Sequence, residues 1–234
     1  MKLDQHFLDD EEIAKLAVSL CNIKKEDVVV EIGPGNGELT KFIPECRLIL
    51  IEKDRKLAER LKQNYNVIVG NGVEEIKKID FDYLISSVPY SICEPLIREL
   101  FLHDFKKAVL ILPENFVENL HEKESSISFL AKEFLKIKKI KKIEREKFKP
   151  NPRVDSYLVE ISPKKAAGIL KKIYLQHDKK LKNALREAIV DIKKKTKREA
   201  REIIERMKIN QNTLNKNVKM LSFHELRYIK EATK

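Results

Sequence analysis

Five short apolar runs, each ending in a polar or turn-forming residue, constrain this chain more than anything else in it. They are DVVVEIG (27–33), RLILIEKD (47–54), NVIVGN (66–71), FDYLISS (81–87) and KAVLILP (107–113). A run that is apolar on both faces of its pleat must be covered on both faces. Strands of that kind belong to parallel sheets whose crossovers are helices. The segments between supply the helices. Residues 10–22 place Ile13, Leu16, Ala17 and Leu20 on one face, a helical stretch follows the glycines to about Phe42, and residues 55–64 turn Leu57 and Leu61 inward. Strand alternating with helix predicts an open parallel α/β sheet. Beyond it the pattern predicts a helix from Asn115 to about Lys136, an edge strand in KIKKIKKIEREKF (136–148), a proline-rich loop, and a last strand at Ser156–Ile161. SPKK (162–165) reads as a boundary, giving an α/β domain over 1–163 and a domain of short helices over 164–234, with a capping box at Ser222 and Glu225.

The chain has six glycines, and five of them lie between residues 33 and 72. Glycines concentrated there mark where a ligand comes close to the backbone. Gly33, Gly35 and Gly37 are spaced G-x-G-x-G after a strand, not G-x-G-x-x-G, so a nicotinamide dinucleotide is the weaker reading. Glu52 ends the second run, where a carboxylate accepts both hydroxyls of a ribose, and Asn71 ends the third. Glycines, an acid and an amide at three successive strand ends point to S-adenosylmethionine; the plain alternative is an α/β turn beside a surface acid.

The fourth run ends in Ser87-Val88-Pro89-Tyr90. An exocyclic amine on a nucleobase has its lone pair delocalised into the ring. A site for methylating it needs acceptors for the amine N–H bonds and an aromatic face for the extruded base. Ser87 Oγ and the Ser87 and Val88 carbonyls are candidate acceptors, Pro89 stiffens the turn, and Tyr90 offers the face. A strand end merely stopped by Pro89 is the bland reading.

Charge is divided unevenly. Residues 1–135 carry 18 basic and 25 acidic side chains; residues 136–234 carry 30 and 12. A surplus confined to one end is the footprint of a polyanion binder, although a lysine-rich composition also serves solubility. Lys138, Lys139, Lys141, Lys142, Arg153, Lys179, Lys180 and Lys182 are candidate phosphate contacts. No run of 18 apolar residues appears, the N-terminus lacks the features of a secretory signal, and Cys21, Cys46 and Cys93 fit neither a disulfide framework nor a zinc site. A cytoplasmic protein with reduced thiols is expected. His103, His121, His177 and His224 are too scattered for a metal, and none is expected. Glu114 and Asn115 read as helix-capping residues rather than substrate contacts.

These motifs together resemble, over nearly the whole chain, the rRNA adenine N6,N6-dimethyltransferases that modify two adjacent adenosines near the 3′ end of small-subunit rRNA. Gln5-His6-Phe7-Leu8-x-Asp10 is close to that family's Q-(N/H)-F-L-x-D signature, and Glu31-Ile-Gly-Pro-Gly-Asn-Gly-x-Leu-Thr40 matches its donor loop. Phe148-x-Pro150-x-Pro152-x-Val154-Asp155-Ser156 matches its F-x-P-x-P-x-V-D-S element, and residues 181–185 and 221–226 resemble its helical C-terminal domain. The resemblance implies a Rossmann-like, S-adenosylmethionine-dependent methyltransferase sheet with a small α-helical C-terminal domain. It implies S-adenosyl-L-methionine held by Gln5, His6, Leu8, Glu31, Gly33, Gly35, Gly37, Glu52, Lys53, Asn71, Gly72 and Ser87, and catalysis at Ser87, Val88, Pro89 and Tyr90 with Phe148 as a second aromatic. Small-subunit rRNA is the implied partner, and a monomer is expected. Three departures stand out: Ser87 replaces the Asn of N-L-P-Y, Gly70-Asn71-Gly72 replaces G-D-A, and Asp4 replaces a glycine. Ser87 predicts a slower enzyme rather than an inactive one; the alternatives are an rRNA-binding assembly factor with impaired catalysis, or a methyltransferase for another RNA site such as large-subunit rRNA.

Overall fold

After a two-residue strand β1 (Phe7–Leu8), the five apolar runs form β2 (Val28–Ile32), β3 (Arg47–Glu52), β4 (Val67–Val69), β5 (Tyr83–Ser87) and β6 (Lys107–Pro113) of the computed structural model, which describes residues 6–165 and 168–233. β7 (Leu135–Ile143), β8 (Phe148–Lys149) and β9 (Ser156–Pro163) follow. Seven strands make one sheet in the order β4-β3-β2-β5-β6-β9-β7. β2 to β6 run parallel, and β9 pairs antiparallel with both β6 and the lysine-rich edge strand β7. The chain leaves β2 outward through β3 and β4, then returns to β5 on the other side. Loops after β2 and β5 therefore diverge, and they open a crevice at the carboxyl edge where ligands of such sheets sit.

Helices α1 (Glu11–Ser19), α2 (Arg55–Leu61), α3 (Gly72–Ile76) and α4 (Cys93–Leu100) accompany the parallel strands. Asp10 caps α1 by accepting the Ile13 N–H at 3.0 Å, with Glu11 and Glu12 in the first turn complementing the helix dipole. α1 buries Ile13, Ala14, Ala17 and Val18, while Leu16 and Leu20 pack at the margin. The inward face is thus rotated from the one expected. Fully buried side chains such as Val29, Val30, Leu84, Leu110 and Leu112 form the centre of the sheet; each contributes about 1.5–3 kcal/mol by leaving water.

Two expected helices are corrected. Residues 34–43 form turns and a single 3-10 turn at Thr40–Phe42. Gly33, Gly35 and Gly37 have φ of +65°, +62° and +91°, and Ile43, which precedes Pro44, is extended at φ −69° and ψ 124°. Between left-handed glycines and a residue that proline keeps out of the helical region, no α-helix fits. The segment after Asn115 is two helices, α5 (Glu114–Glu122) and α6 (Ser126–Phe134). The break falls where Ser125 Oγ accepts the Ser128 N–H at 3.2 Å and starts a new helix.

The chain divides into two compact units: one of residues up to His121 with Leu135–Pro163, the other of Glu122–Phe134 with residues from Lys164 onward. The second unit holds α6, α7 (Ile169–Tyr174), α8 (Leu181–Lys193), α9 (Lys197–Arg206), α10 (Gln211–Asn215) and α11 (Phe223–Ala232). α6 joins it because Ile127, Leu130, Ala131 and Phe134 are buried. Phe129 meets Phe223 edge-on at 5.9 Å, and Phe134 lies 5.7 Å from Tyr174. Capping boxes at Thr196/Glu199 and Ser222/Glu225 start α9 and α11. Among the described residues no helix is long and apolar enough to cross a membrane, and Cys21, Cys46 and Cys93 form no disulfide with one another.

Candidate active site

One cavity at the carboxyl edge of the first unit is lined by His6, Leu8, Glu31, Gly33, Gly35, Glu52, Lys53, Asn71, Gly72, Ser87, Val88, Pro89, Tyr90 and Phe148. Its floor is acidic. Glu52 is 5 % exposed; its carboxylate accepts the Gly35 N–H at 3.2 Å and the Asp54 N–H at 2.8 Å. Each oxygen keeps lone pairs for a further donor. Glu31 is 1 % exposed and accepts the Thr40 hydroxyl at 2.7 Å. Burial pushes its pKa up to about 8; Thr40 opposes that, and Glu38 and Glu52 reinforce it. Glu38 lines the cavity too, and nothing in the sequence separated it from an ordinary surface acid.

Gly33 donates its N–H to the Ile51 carbonyl at 2.9 Å, and a Cβ there would project toward the Pro89 ring, 3.8 Å away. The gap between the glycine loop and the Ser87–Tyr90 turn is therefore kept by a missing side chain. Gly37 does not line the cavity; it closes the turn by donating to the Pro34 carbonyl at 2.8 Å. Gln5 lies outside the described residues.

Asn71 and Gly72 open α3 at the edge of the cavity. Asn71 Oδ1 caps α3 by accepting the Val73 N–H at 3.0 Å. A Cβ at Gly72 would lie 2.3 Å from Cγ2 of Ile32, a side chain only 2 % exposed. Gly72→Ala overpacks that point, at a cost of about 1–3 kcal/mol. We expect a fall in Tm of about 2–12 °C for a chain of this size, read by calorimetry; an unchanged Tm would mean that Ile32 can move aside.

The turn after β5 is held from both sides. Ser86, fully buried, donates its hydroxyl to the Ile32 carbonyl at 2.6 Å, and the Val88 N–H donates to the Ile111 carbonyl at 3.1 Å. The Tyr90 hydroxyl lies 3.2 Å from Ser156 Oγ and 3.5 Å from the Val154 carbonyl. The F-x-P-x-P-x-V-D-S element thus fixes the ring. β1 and β8 pair Leu8 with Phe148 and Phe7 with Lys149. That pairing brings His6 to 2.7 Å from the Pro150 carbonyl, through Nδ1, and to 5.7 Å from the Tyr90 ring. A carbonyl only accepts, so Nδ1 carries the proton in neutral His6. Phe148 lines the cavity but is 3 % exposed; it forms a wall and has little free face. Ser86, Ser156 and the β1–β8 pairing were not legible beforehand, because no local pattern signals contacts that span more than fifty residues.

The basic residues divide by role. Lys138, Lys139 and Lys141 are exposed on β7, with Lys139 Nζ 4.8 Å from the centre of the Tyr157 ring. Lys142 is held by Glu114 at 2.7 Å and Asp155 at 3.2 Å. Those two carboxylates raise its pKa. Arg153 is exposed beside the cavity mouth. In the second unit Lys179 pairs with Glu187 at 2.6 Å and Lys182 donates to Asn215 at 2.9 Å, while the Lys180 backbone forms an isolated antiparallel β-bridge with Asn217. Glu114 is occupied by Lys142, and Asn115 lies inside α5, which corrects their reading as capping residues. Among the described residues no group of three or more His, Cys, Asp or Glu is placed to hold a metal.

The chain is similar to the probable ribosomal RNA small subunit methyltransferase A of Pyrococcus furiosus, with 34 % identity over all of this chain and 91 % of that protein. It is 32 % identical to ribosomal RNA small subunit methyltransferase A of Thermotoga maritima, over 79 % of this chain and 73 % of that one. Its fold is shared with a dimethyladenosine transferase from Plasmodium falciparum (TM-score 0.65, 23 % identity, 97 % of this chain and 99 % of that one). Residues 1–232 match the family described as ribosomal RNA adenine dimethylase. A cavity built on left-handed glycines, a buried carboxylate at a strand end and a proline-stiffened aromatic turn suits the methyl donor of that family, S-adenosyl-L-methionine. The chain belongs to the ribosomal RNA adenine dimethylase family.

Proposed function

We propose that this protein, acting as a cytoplasmic monomer, dimethylates the N6 amine of adenosines near the 3′ end of small-subunit rRNA. The observation that carries the reading is the single crevice in which the donor-type glycine loop and the Ser87–Tyr90 turn face each other across Gly33 and Pro89. Its support from relatives is that those named above carry names of small-subunit rRNA methyltransferases.

When bound, the donor supplies a methyl on a positively charged sulfur, which the amine takes as the carbon–sulfur bond breaks. Gly33, Gly35, Gly72 and Asn71 line the seat of the donor's nucleoside, and Glu52 accepts its ribose hydroxyls. Tyr90, its hydroxyl tethered, presents the face on which the extruded adenine stacks, against a wall formed by Phe148. Ser87 Oγ and a backbone carbonyl of the turn accept the amine N–H bonds, which makes the nitrogen lone pair available to the methyl. No charged base is needed, since the amine loses its proton to water after attack. The exposed lysines of β7 and those of the helical unit supply phosphate contacts.

Incubating small subunits that lack dimethyladenosine with labelled donor, followed by nucleoside mass spectrometry, is expected to yield mono- and dimethyladenosine. Donor binding without any methylated adenosine would overturn the reading in favour of an assembly factor. Ser87→Asn lengthens the acceptor toward the amine. A better-placed acceptor gains at most the worth of one neutral hydrogen bond, about 0.5–1.5 kcal/mol, which corresponds to a rate gain of up to about tenfold. A rate unchanged by the substitution removes Ser87 from the acceptor role.

A further inference from the structure

A second concavity shares His6 and Tyr90 with the donor cavity, so the two have a common wall. Its other polar lining is Asn115, Asn119, Asn151 and Arg153, with Phe116 between them. Asn115 and Asn119 are one turn apart on α5 and share a face. None of these three amides makes a hydrogen bond to a described residue, and Arg153 has no carboxylate partner among them. That is unusual locally: Lys142, Lys147 and Lys149 are all in ion pairs with Glu114, Asp155, Asp10 or Asp9. No acid lines the concavity. Unpaired amides offer donor and acceptor side by side, the pattern that matches a base edge. A planar guanidinium matches a phosphate, and a half-buried phenyl ring offers a stacking face.

We propose that this concavity is a second nucleotide subsite. It holds the nucleotide adjacent to the methylated adenosine, reads its base edge through Asn115 and Asn119, and meets its phosphate with Arg153. In single-stranded loops both pairing edges of a base are open to such contacts. The subsite makes the enzyme selective for the neighbour of its target as well as for the target itself. The inference rests on the adenosine methyltransferase reading above.

The test uses the full chain and small ribosomal subunits lacking dimethyladenosine, reconstituted with each of the four bases next to the target. Asn115→Ala/Asn119→Ala is expected to raise KM for the best neighbour by roughly 5- to 150-fold, the value of one bidentate base contact. It should leave kcat within threefold and donor affinity unchanged, and level the four KM values. Arg153→Ala should raise KM equally for all four bases. If the wild type methylates subunits but the paired variant keeps its KM and its preference, the subsite is refuted while the function stands. A rise in KM that is uniform across bases for the paired variant also refutes base reading. A wild type that methylates nothing refutes the underlying function instead.

Discussion

Replacing Glu52 with alanine is expected to weaken S-adenosylmethionine binding by about 10²- to 10⁴-fold. The proposed role of the carboxylate is to accept two ribose hydroxyls. A hydrogen bond to a charged group is worth about 1.5–3 kcal/mol, so losing two removes about 3–6 kcal/mol. The side chain is 5 % exposed and already oriented by the Gly35 and Asp54 amides, so little ordering entropy offsets that gain in the wild type. Glu52→Gln keeps one acceptor oxygen and should fall between the two. Isothermal calorimetry reads both values, and circular dichroism checks that the sheet persists. A dissociation constant within threefold of the wild type for the alanine variant would falsify the assignment.

The second large effect concerns pH. Glu31 holds its proton up to about pH 8 in the folded chain, against 4.5 for the free side chain, because burial near the end of β2 disfavours its charged form. A raised carboxyl pKa means that the folded state binds a proton the unfolded state gives up. Stability therefore falls as pH rises through the window from 4.5 to 8. At roughly 1.36 kcal/mol per pKa unit the loss is on the order of 5 kcal/mol, or about 10–20 °C in Tm. Glu31→Gln keeps an acceptor for the Thr40 hydroxyl and cannot ionise. The melting curves of the two proteins should converge at low pH, separate as pH rises from 4.5 to 8 and stay apart above that, with the glutamine variant the more stable; parallel curves at every pH would rule out the buried proton. The same carboxyl lines the donor cavity. A cationic donor seated there favours its ionised form, so binding at neutral pH should release a proton. Binding enthalpies measured in two buffers of different ionisation heat should differ accordingly in the wild type and agree in the glutamine variant.

Much of this site was legible because each element carried its own local signal. Gly33 and Gly35 marked a backbone that side chains rarely follow, and both take left-handed φ values at the cavity. Glu52 and Asn71 were legible as polar residues closing apolar strands, and both line the same cavity. Local signals also misled. The pattern after Gly37 looked helical, but three left-handed glycines and Pro44 leave room for one 3-10 turn. Asn115 looked like a cap because it follows a strand and a proline, yet the adjacent Glu114 is drawn away by Lys142, which is far along the chain.

What the sequence alone determined is the set of elements and the chemistry at their ends: continuous apolar runs must be buried on both faces, and a glycine, acid or proline at a strand end acts within a few residues of itself. Which of those ends meet was settled by packing and strand register in the folded chain. The return of the chain from β4 to β5 beside β2 opened the crevice, the pairing of β1 with β8 set His6 against Tyr90 and Pro150, and the Ile32 methyl dictated glycine at position 72. Those outcomes depend on contacts between residues far apart in the chain, whose energies come from packing and register and leave no periodic trace along the sequence.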